Sequence, residues 1–120
     1  MPANALILFG ARWCAPCTAE LRSVDALTAA TIRLAPADTG PAPRLVLAWI
    51  DRPPPVTAAR SVAIALPSVA AAWEEEHIAA AHGLPFAVMT DARGNACALQ
   101  KGPLEPAMVP TLWSKCHPER

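Results

Sequence analysis

The sequence carries no excess of charge of either sign. Ten acidic and ten basic residues give its 120 residues a formal net charge of zero at pH 7. Proteins that hold nucleic acid do so largely through a basic face that contacts phosphates. No such face is indicated here, and the sequence therefore predicts that nucleic acid is not a partner.

Long hydrophobic runs are also missing. No apolar run approaches the ~20 residues that a membrane-spanning helix needs. The residues after Met1 lack the basic segment, apolar core and cleavage site of a secretory signal. The sequence therefore predicts no membrane span and a cytoplasmic protein, or a periplasmic one if a leader has been missed ahead of Met1.

Cysteines are few. The four present are too few for a disulfide scaffold, and they lack the second close pair of a zinc ribbon, so no metal site is predicted. Cys97 and Cys116 stand alone in the sequence. We expect them to be buried free thiols, and a disulfide between them is the alternative.

The composition is that of one small domain spanning residues 1–120. Hydrophobic residues make up 53% of the chain, which is enough for one core without disulfide staples. Most of the fourteen prolines cluster in connections, with Pro53–Pro55 forming one run. These prolines separate secondary-structure elements and do not indicate a second domain.

The hydrophobic pattern predicts an α/β protein with a central mixed four-stranded sheet flanked by helices. Continuously apolar runs at 5–10 and 45–50 indicate strands covered on both faces. Apolar residues at helical spacing between them predict a helix that ends before Pro36, and hence a parallel βαβ unit. The remaining predicted elements are a short helix at 57–66, a helix from Val69 to His82 with Ser68 as N-cap and Gly83 as C-cap, a hairpin of strands 86–90 and 95–100 around turn residues Asp91 and Gly94, and a last helix at 104–117 broken near Pro110.

The most informative motif is Cys14-Ala15-Pro16-Cys17, which follows the first strand and opens the first helix. A thiol at a helix N-terminus faces unpaired N–H groups and the positive end of the helix dipole, which favour the reactive thiolate. Cys14 is therefore the predicted nucleophile. Cys17, one turn later, is the predicted resolving thiol, since it can displace a product from Cys14.

Two segments together resemble the thioredoxin-like superfamily. Phe9–Cys17 is similar to the end of that family's first core strand and its active site, and Gly83–Val88 is similar to its cis-proline loop. The Ala15-Pro16 dipeptide further resembles bacterial thiol-disulfide reductases of the cytochrome-maturation type. The resemblance spans roughly residues 5–105 and implies a thioredoxin-like fold.

The resemblance also implies further site residues. In this family the proline at the position of Pro85 is cis, and the residue before it, here Leu84, offers its backbone to the substrate. The aromatic residue before the first cysteine, here Trp13, packs around the site. One departure concerns Leu8, which stands where thioredoxins carry a buried acid that moves the proton of the resolving thiol. No obvious base for Cys17 is therefore predicted.

The sequence predicts a thiol-disulfide oxidoreductase that reduces disulfides of proteins or small molecules through Cys14 and Cys17. An external dithiol would regenerate it, and no cofactor is implied beyond the redox-active disulfide of the chain itself. One alternative is a non-catalytic peptide-binding module in which the pair is a vestigial or regulatory disulfide. A third possibility is metal delivery through the pair.

Overall fold

The computed structural model describes residues 1–35, 39–54 and 62–118. Its central element is a five-stranded sheet. The strand order across the sheet is β3-β2-β1-β4-β5. β1 and β2 are parallel, as are β2 and β3, whereas β4 runs antiparallel to both β1 and β5. The strands are β1 (Ala5–Gly10), β2 (Arg44–Trp49), β3 (Val62–Ile64), β4 (Phe86–Thr90) and β5 (Ala96–Lys101).

Four α-helices and two 3₁₀ turns accompany the sheet. The turn Leu21–Ser23 joins the first two helices, and the turn Pro106–Met108 leads into the last one. The helices are α1 (Ala15–Glu20), α2 (Val24–Ile32), α3 (Pro67–Ala81) and α4 (Val109–Cys116).

β1 is buried along its whole length because it lies in the middle of the sheet with helices on both faces. Side chains alternate between the two faces of a strand. Leu6 and Leu8 pack in one core cluster with residues of α2 and α4, whereas Ile7 and Phe9 pack in a second cluster with residues of α3. This placement confirms the prediction that residues 5–10 form a central strand.

The prediction of four strands is wrong, because the sheet has a fifth strand, β3. Its residues pair with β2, and the N–H of Ala65 donates to the Leu47 carbonyl at 2.9 Å. The helix predicted at 57–66 is therefore wrong for residues 62–64, and residues 55–61 lie outside the described part of the chain. Three residues are too few to show a period, so the open edge of β2 decides their conformation.

Helix ends also differ from the predicted ones. α3 begins at Pro67 with Leu66 as its N-cap residue, not with Ser68, because proline is well suited to the first turn. His82, at φ 60°, takes the left-handed C-cap position predicted for Gly83. Pro110 lies in the first turn of α4, where no helical N–H bond is lost, so the helix begins there and is not broken.

The predicted hairpin between β4 and β5 is confirmed. The Asp91 carboxylate accepts hydrogen bonds from the N–H groups of Arg93 and Asn95 at 2.9 and 3.0 Å. Gly94 has φ +81°, a left-handed conformation that favours glycine, and a Cβ there would collide with the Met1 carbonyl. Both residues therefore act as the sequence predicted.

The expectation of buried free thiols at Cys97 and Cys116 is wrong. The two residues form a disulfide, with their Cα atoms 5.3 Å apart, and Cys97 is exposed. The packing of α4 against β5 brings them within bonding distance, which spacing along the chain could not reveal. The bond joins the last turn of α4 to the edge strand of the sheet.

We expect this second disulfide to stabilise the fold. Replacing both residues (Cys97→Ala with Cys116→Ala) should lower the free energy of unfolding by about 3 kcal/mol, since the bridge constrains a loop with a sequence separation of 19 in the unfolded chain. Urea unfolding measures the change. The control is a Cys14→Ser/Cys17→Ser variant, which keeps only the Cys97–Cys116 bond. A strong reductant should lower its free energy of unfolding, and the reductant should have no effect when Cys97 and Cys116 are replaced as well. Equal stability with and without Cys97 and Cys116 would contradict the prediction.

Candidate functional site

Cys14 and Cys17 lie at the carboxyl-terminal edge of β1 and β2, where the chain turns from β1 into α1. They form a disulfide with Cα atoms 5.2 Å apart. Cys14 precedes α1 and Cys17 lies in its first turn, as the sequence predicted. Thiol–disulfide exchange needs two thiols at this separation, so the pair is placed for that chemistry.

The helix distinguishes the two sulfurs. Cys14 is the N-cap residue of α1, and its Sγ accepts a hydrogen bond from the backbone N–H of Cys17 at 3.2 Å. A donor aimed at this sulfur stabilises negative charge on it after reduction. This geometry supports Cys14 as the nucleophile and Cys17 as the resolving thiol.

The exposed fraction of the side chain hardly distinguishes the two cysteines. Cys14 is 5% exposed and Cys17 is 2% exposed. Both pack in a small cluster with Ala11 and Trp49. The hydrogen bond at the start of α1 therefore separates their roles better than exposure does.

Trp49 packs in the same cluster as the two cysteines and so lines the site. It ends β2 beside Gly10, and an added Cβ at Gly10 would lie 2.6 Å from its indole Nε1 and 3.1 Å from the Cβ of Cys17. Only glycine leaves room for this close approach. The sequence could have indicated this role only through the position of Trp49 at the end of the strand paired with β1. A tryptophan in an apolar run is equally consistent with an ordinary core residue.

The loop before β4 packs against the cysteine cluster through Leu84. Phe9 pairs with Phe86, and their rings stack with centroids 4.5 Å apart. Leu84 and Pro85 come just before Phe86, and Leu84 packs against the cluster that holds both cysteines. The Leu84–Pro85 peptide bond is cis, as the resemblance implied.

Trp13 does not pack over the disulfide as expected. Its side chain is 70% exposed, and it lines a shallow surface groove along α1. The residue is beside the cysteines in sequence but faces solvent. It is therefore available for contact with another molecule.

Asp51, just after β2, holds the turn that precedes Cys14. Both carboxylate oxygens accept from the N–H of Arg12, at 3.1 and 3.0 Å, and one also accepts from the N–H of Arg52 at 2.7 Å. Desolvation favours its protonated form, but these hydrogen bonds and the charge of Arg52 outweigh it and lower the pKa of Asp51. Asp51 is therefore ionised near neutral pH and keeps the turn fixed.

Glu20, at the end of α1, carries a partly buried carboxyl group. Burial raises its pKa from 4.5 to about 7, although the N–H of Leu104 donates to its Oε2 at 2.6 Å and partly offsets that effect. Glu20 is three residues after Cys17 on α1, a spacing that puts Cβ atoms about 5–6 Å apart. The sequence gives no sign of this contact, because Leu104 is 84 positions away along the chain.

No group of three or more metal-binding side chains occurs within the described residues. Nor does this part of the chain contain a helix long and apolar enough to cross a membrane.

Solved structures with a similar arrangement of strands and helices include the following two. StoA from Bacillus subtilis matches with a TM-score of 0.61 and 19% sequence identity over 93% of this chain and 82% of its own. A putative thiol:disulfide interchange protein DsbE from Chlorobium tepidum matches with a TM-score of 0.50 and 17% identity over 94% of this chain and 77% of its own. The chain has the thioredoxin-like fold.

This finding confirms the resemblance seen in the two sequence motifs. No family model matches the chain, and no curated protein matches it in sequence. At such low identity, the likeness to these structures shows the fold alone.

The raised pKa of Glu20 predicts how stability depends on pH. The folded protein binds this proton more tightly than the unfolded chain, so the free energy of unfolding should decrease as the pH rises from 4.5 through about 7. Glu20→Gln keeps an oxygen for Leu104 and removes the charge, so it should be more stable than the wild type at pH 8, by about 2 kcal/mol. Urea unfolding at pH 5 and pH 8 measures this difference.

The control is Glu105→Gln, which changes an exposed glutamate next to Leu104. It should leave the pH dependence of the wild type in place. A Glu20→Gln variant with the same pH dependence as the wild type would show that Glu20 does not titrate as its burial implies.

Proposed function

We propose that this thioredoxin-like protein is a thiol-disulfide oxidoreductase that reduces disulfides of proteins or small molecules. The observation that carries the proposal is the hydrogen bond from the Cys17 N–H to the Cys14 sulfur at the start of α1, beside the Leu84–Pro85 loop. This combination supports a thiolate at Cys14 with a partner thiol one turn away.

The reaction transfers two electrons from the thiol pair to the substrate. The Cys14 thiolate attacks one sulfur of the substrate disulfide, forms a mixed disulfide and releases the other sulfur as a thiolate, which takes up a proton. The Cys17 thiolate then attacks the Cys14 sulfur and releases the second substrate thiolate. The protein ends with the Cys14–Cys17 disulfide, and an external dithiol reduces it again.

Glu20 is the proposed acceptor of the Cys17 proton. Cys17 must lose a proton before it attacks, and its near-complete burial leaves little access for water. A carboxyl group whose pKa is about 7 exchanges a proton readily at neutral pH. Its position one turn after Cys17 supports this role.

The substrate would lie across the Leu84–Pro85 loop. Leu84 is half-buried and packs against the cysteine cluster, which supports a role for its backbone in binding the substrate. An extended substrate segment pairing there would present its own disulfide to Cys14. We therefore propose Leu84, Pro85 and Trp13 as substrate-binding residues.

An oxidising compartment outside the cytoplasm fits the second disulfide better than the cytoplasm does. The bond between Cys97 and Cys116 includes an exposed cysteine, and exposed disulfides rarely persist where cellular thiols are reduced. We propose the periplasm or an equivalent compartment in place of the cytoplasmic assignment. The external dithiol would then be a protein that carries electrons to that side.

Single-cysteine variants test the direction of the mechanism. Cys17→Ser should trap mixed disulfides with substrates because the nucleophile remains while the resolving thiol is gone. Cys14→Ser should trap few. Non-reducing gels after incubation with an oxidised protein substrate measure both, and equal trapping by the two variants would contradict the assigned roles.

Insulin reduction with dithiothreitol as the donor tests catalysis itself. The wild type should accelerate the reduction, and Cys14→Ser should reduce the rate to that of dithiothreitol alone. A wild type with no effect on the rate that nevertheless binds peptides would favour the non-catalytic binding module.

A further inference from the structure

A groove on the exposed face of α1 lies directly beside the redox pair. Four of its lining residues recur at the spacing of one helical face, which continues into the turn after α1. All six lining residues are exposed. We call this surface the arginine–tryptophan groove, and it is lined by Arg12, Trp13, Ala15, Thr18, Ala19 and Arg22.

The floor and the end of the groove suit an extended chain. Ala15 and Ala19 have small side chains, so a backbone can approach α1 closely. Trp13 stands 70% exposed at the end nearest Cys14, where it offers a large flat apolar surface. Exposed tryptophan of this kind is enriched in surfaces that bind other molecules.

The charge of the groove is positive although the whole chain is neutral. Within residues 1–35, 39–54 and 62–118, no carboxylate forms an ion pair with Arg12 or Arg22. The Nε of Arg12 donates to the Pro53 carbonyl at 3.0 Å, which holds this arginine in place while its terminal nitrogens remain available to a ligand.

Two acidic residues close to the groove in sequence or space are bonded to backbone groups. The Asp51 carboxylate accepts from the backbone N–H groups of Arg12 and Arg52, and that of Glu20 accepts from the backbone of Leu104. Neither forms an ion pair with the two arginine side chains of the groove. A ligand carboxylate would meet two guanidinium groups on either side of an apolar floor.

We propose that the arginine–tryptophan groove docks an acidic segment of the substrate polypeptide, next to the cysteine that Cys14 attacks. The inference rests on the proposed function and names its substrate class: disulfide proteins with aspartate or glutamate beside the reacting cysteine. Charge complementarity selects the acidic partner, and Trp13 adds apolar contact close to the sulfurs.

Matched peptides test the proposal. Three disulfide-linked peptides differ only in the four residues that flank the cysteine, which are glutamate, glutamine or lysine. At low salt, kcat/KM for the glutamate peptide should exceed that for the lysine peptide by about tenfold, and the ratio should decrease at about 0.5 M salt because exposed charges are screened.

Arg22→Glu should remove this preference or reverse it, which is measured as the ratio of kcat/KM for the glutamate peptide to that for the lysine peptide. The control is Arg93→Glu, which makes the same change of charge in the β4–β5 hairpin, at the opposite end of the sheet from Cys14. It should keep the preference for glutamate. Loss of the preference in both variants would show that only the net charge of the protein matters, and it would overturn the docking proposal.

Peptides that bind but cannot react test the docking proposal separately from the proposed oxidoreductase function. Peptides with serine in place of cysteine should bind the wild type in the same order, glutamate over glutamine over lysine, in calorimetric titrations. Equal binding of all three overturns the docking proposal even if insulin is reduced normally. Ordered binding that Arg22→Glu abolishes supports docking even if no disulfide is reduced, in which case the oxidoreductase function alone fails.

Discussion

The antiparallel pairing of β1 with β4 is the constraint on which the site depends. Phe9 lies opposite Phe86, and the stacked rings hold the two strands in register within the core. The cysteine turn follows Phe9, and the Leu84–Pro85 loop precedes Phe86, so both must reach the same edge of the sheet. A slip of one residue would exchange the two core faces of β1, and burial on both sides prevents it. The site geometry is therefore coupled to the packing of the core.

Two carboxyl groups near this edge behave in opposite ways because their surroundings differ. Asp51 is exposed, and backbone N–H groups and a nearby arginine lower its pKa, so it holds the turn before Cys14 as a permanent anion. Glu20 is largely buried, and desolvation raises its pKa to about 7. The first residue is suited to positioning and the second to proton exchange. Opposite shifts of this kind support the different roles proposed for the two residues.

The two disulfides also differ in their structural surroundings. The Cys14–Cys17 bond lies at a helix N-terminus, where an N–H contacts the sulfur that must carry charge after reduction. The Cys97–Cys116 bond joins an edge strand to the end of α4 and so holds that helix on the sheet. α4 contributes Leu112 and Trp113 to the core. The surroundings of the Cys14–Cys17 bond suit the proposed thiol exchange. The Cys97–Cys116 bond stabilises the packing of α4 on one face of the sheet.

The sequence by itself determined the elements whose signals are local. Continuous apolar runs identified β1 and β2, the turn residues Asp91 and Gly94 identified the hairpin of β4 and β5, and the spacing of Cys14 and Cys17 identified the cysteine pair at the start of α1. Only the tertiary structure decided which distant residues meet. The fifth strand forms on the open edge of β2, and the second disulfide joins residues 19 positions apart. The pKa of Glu20 likewise depends on burial and on a hydrogen bond across 84 positions. Burial, pairing partners and desolvation are properties of the packed chain, and no short window of sequence contains them.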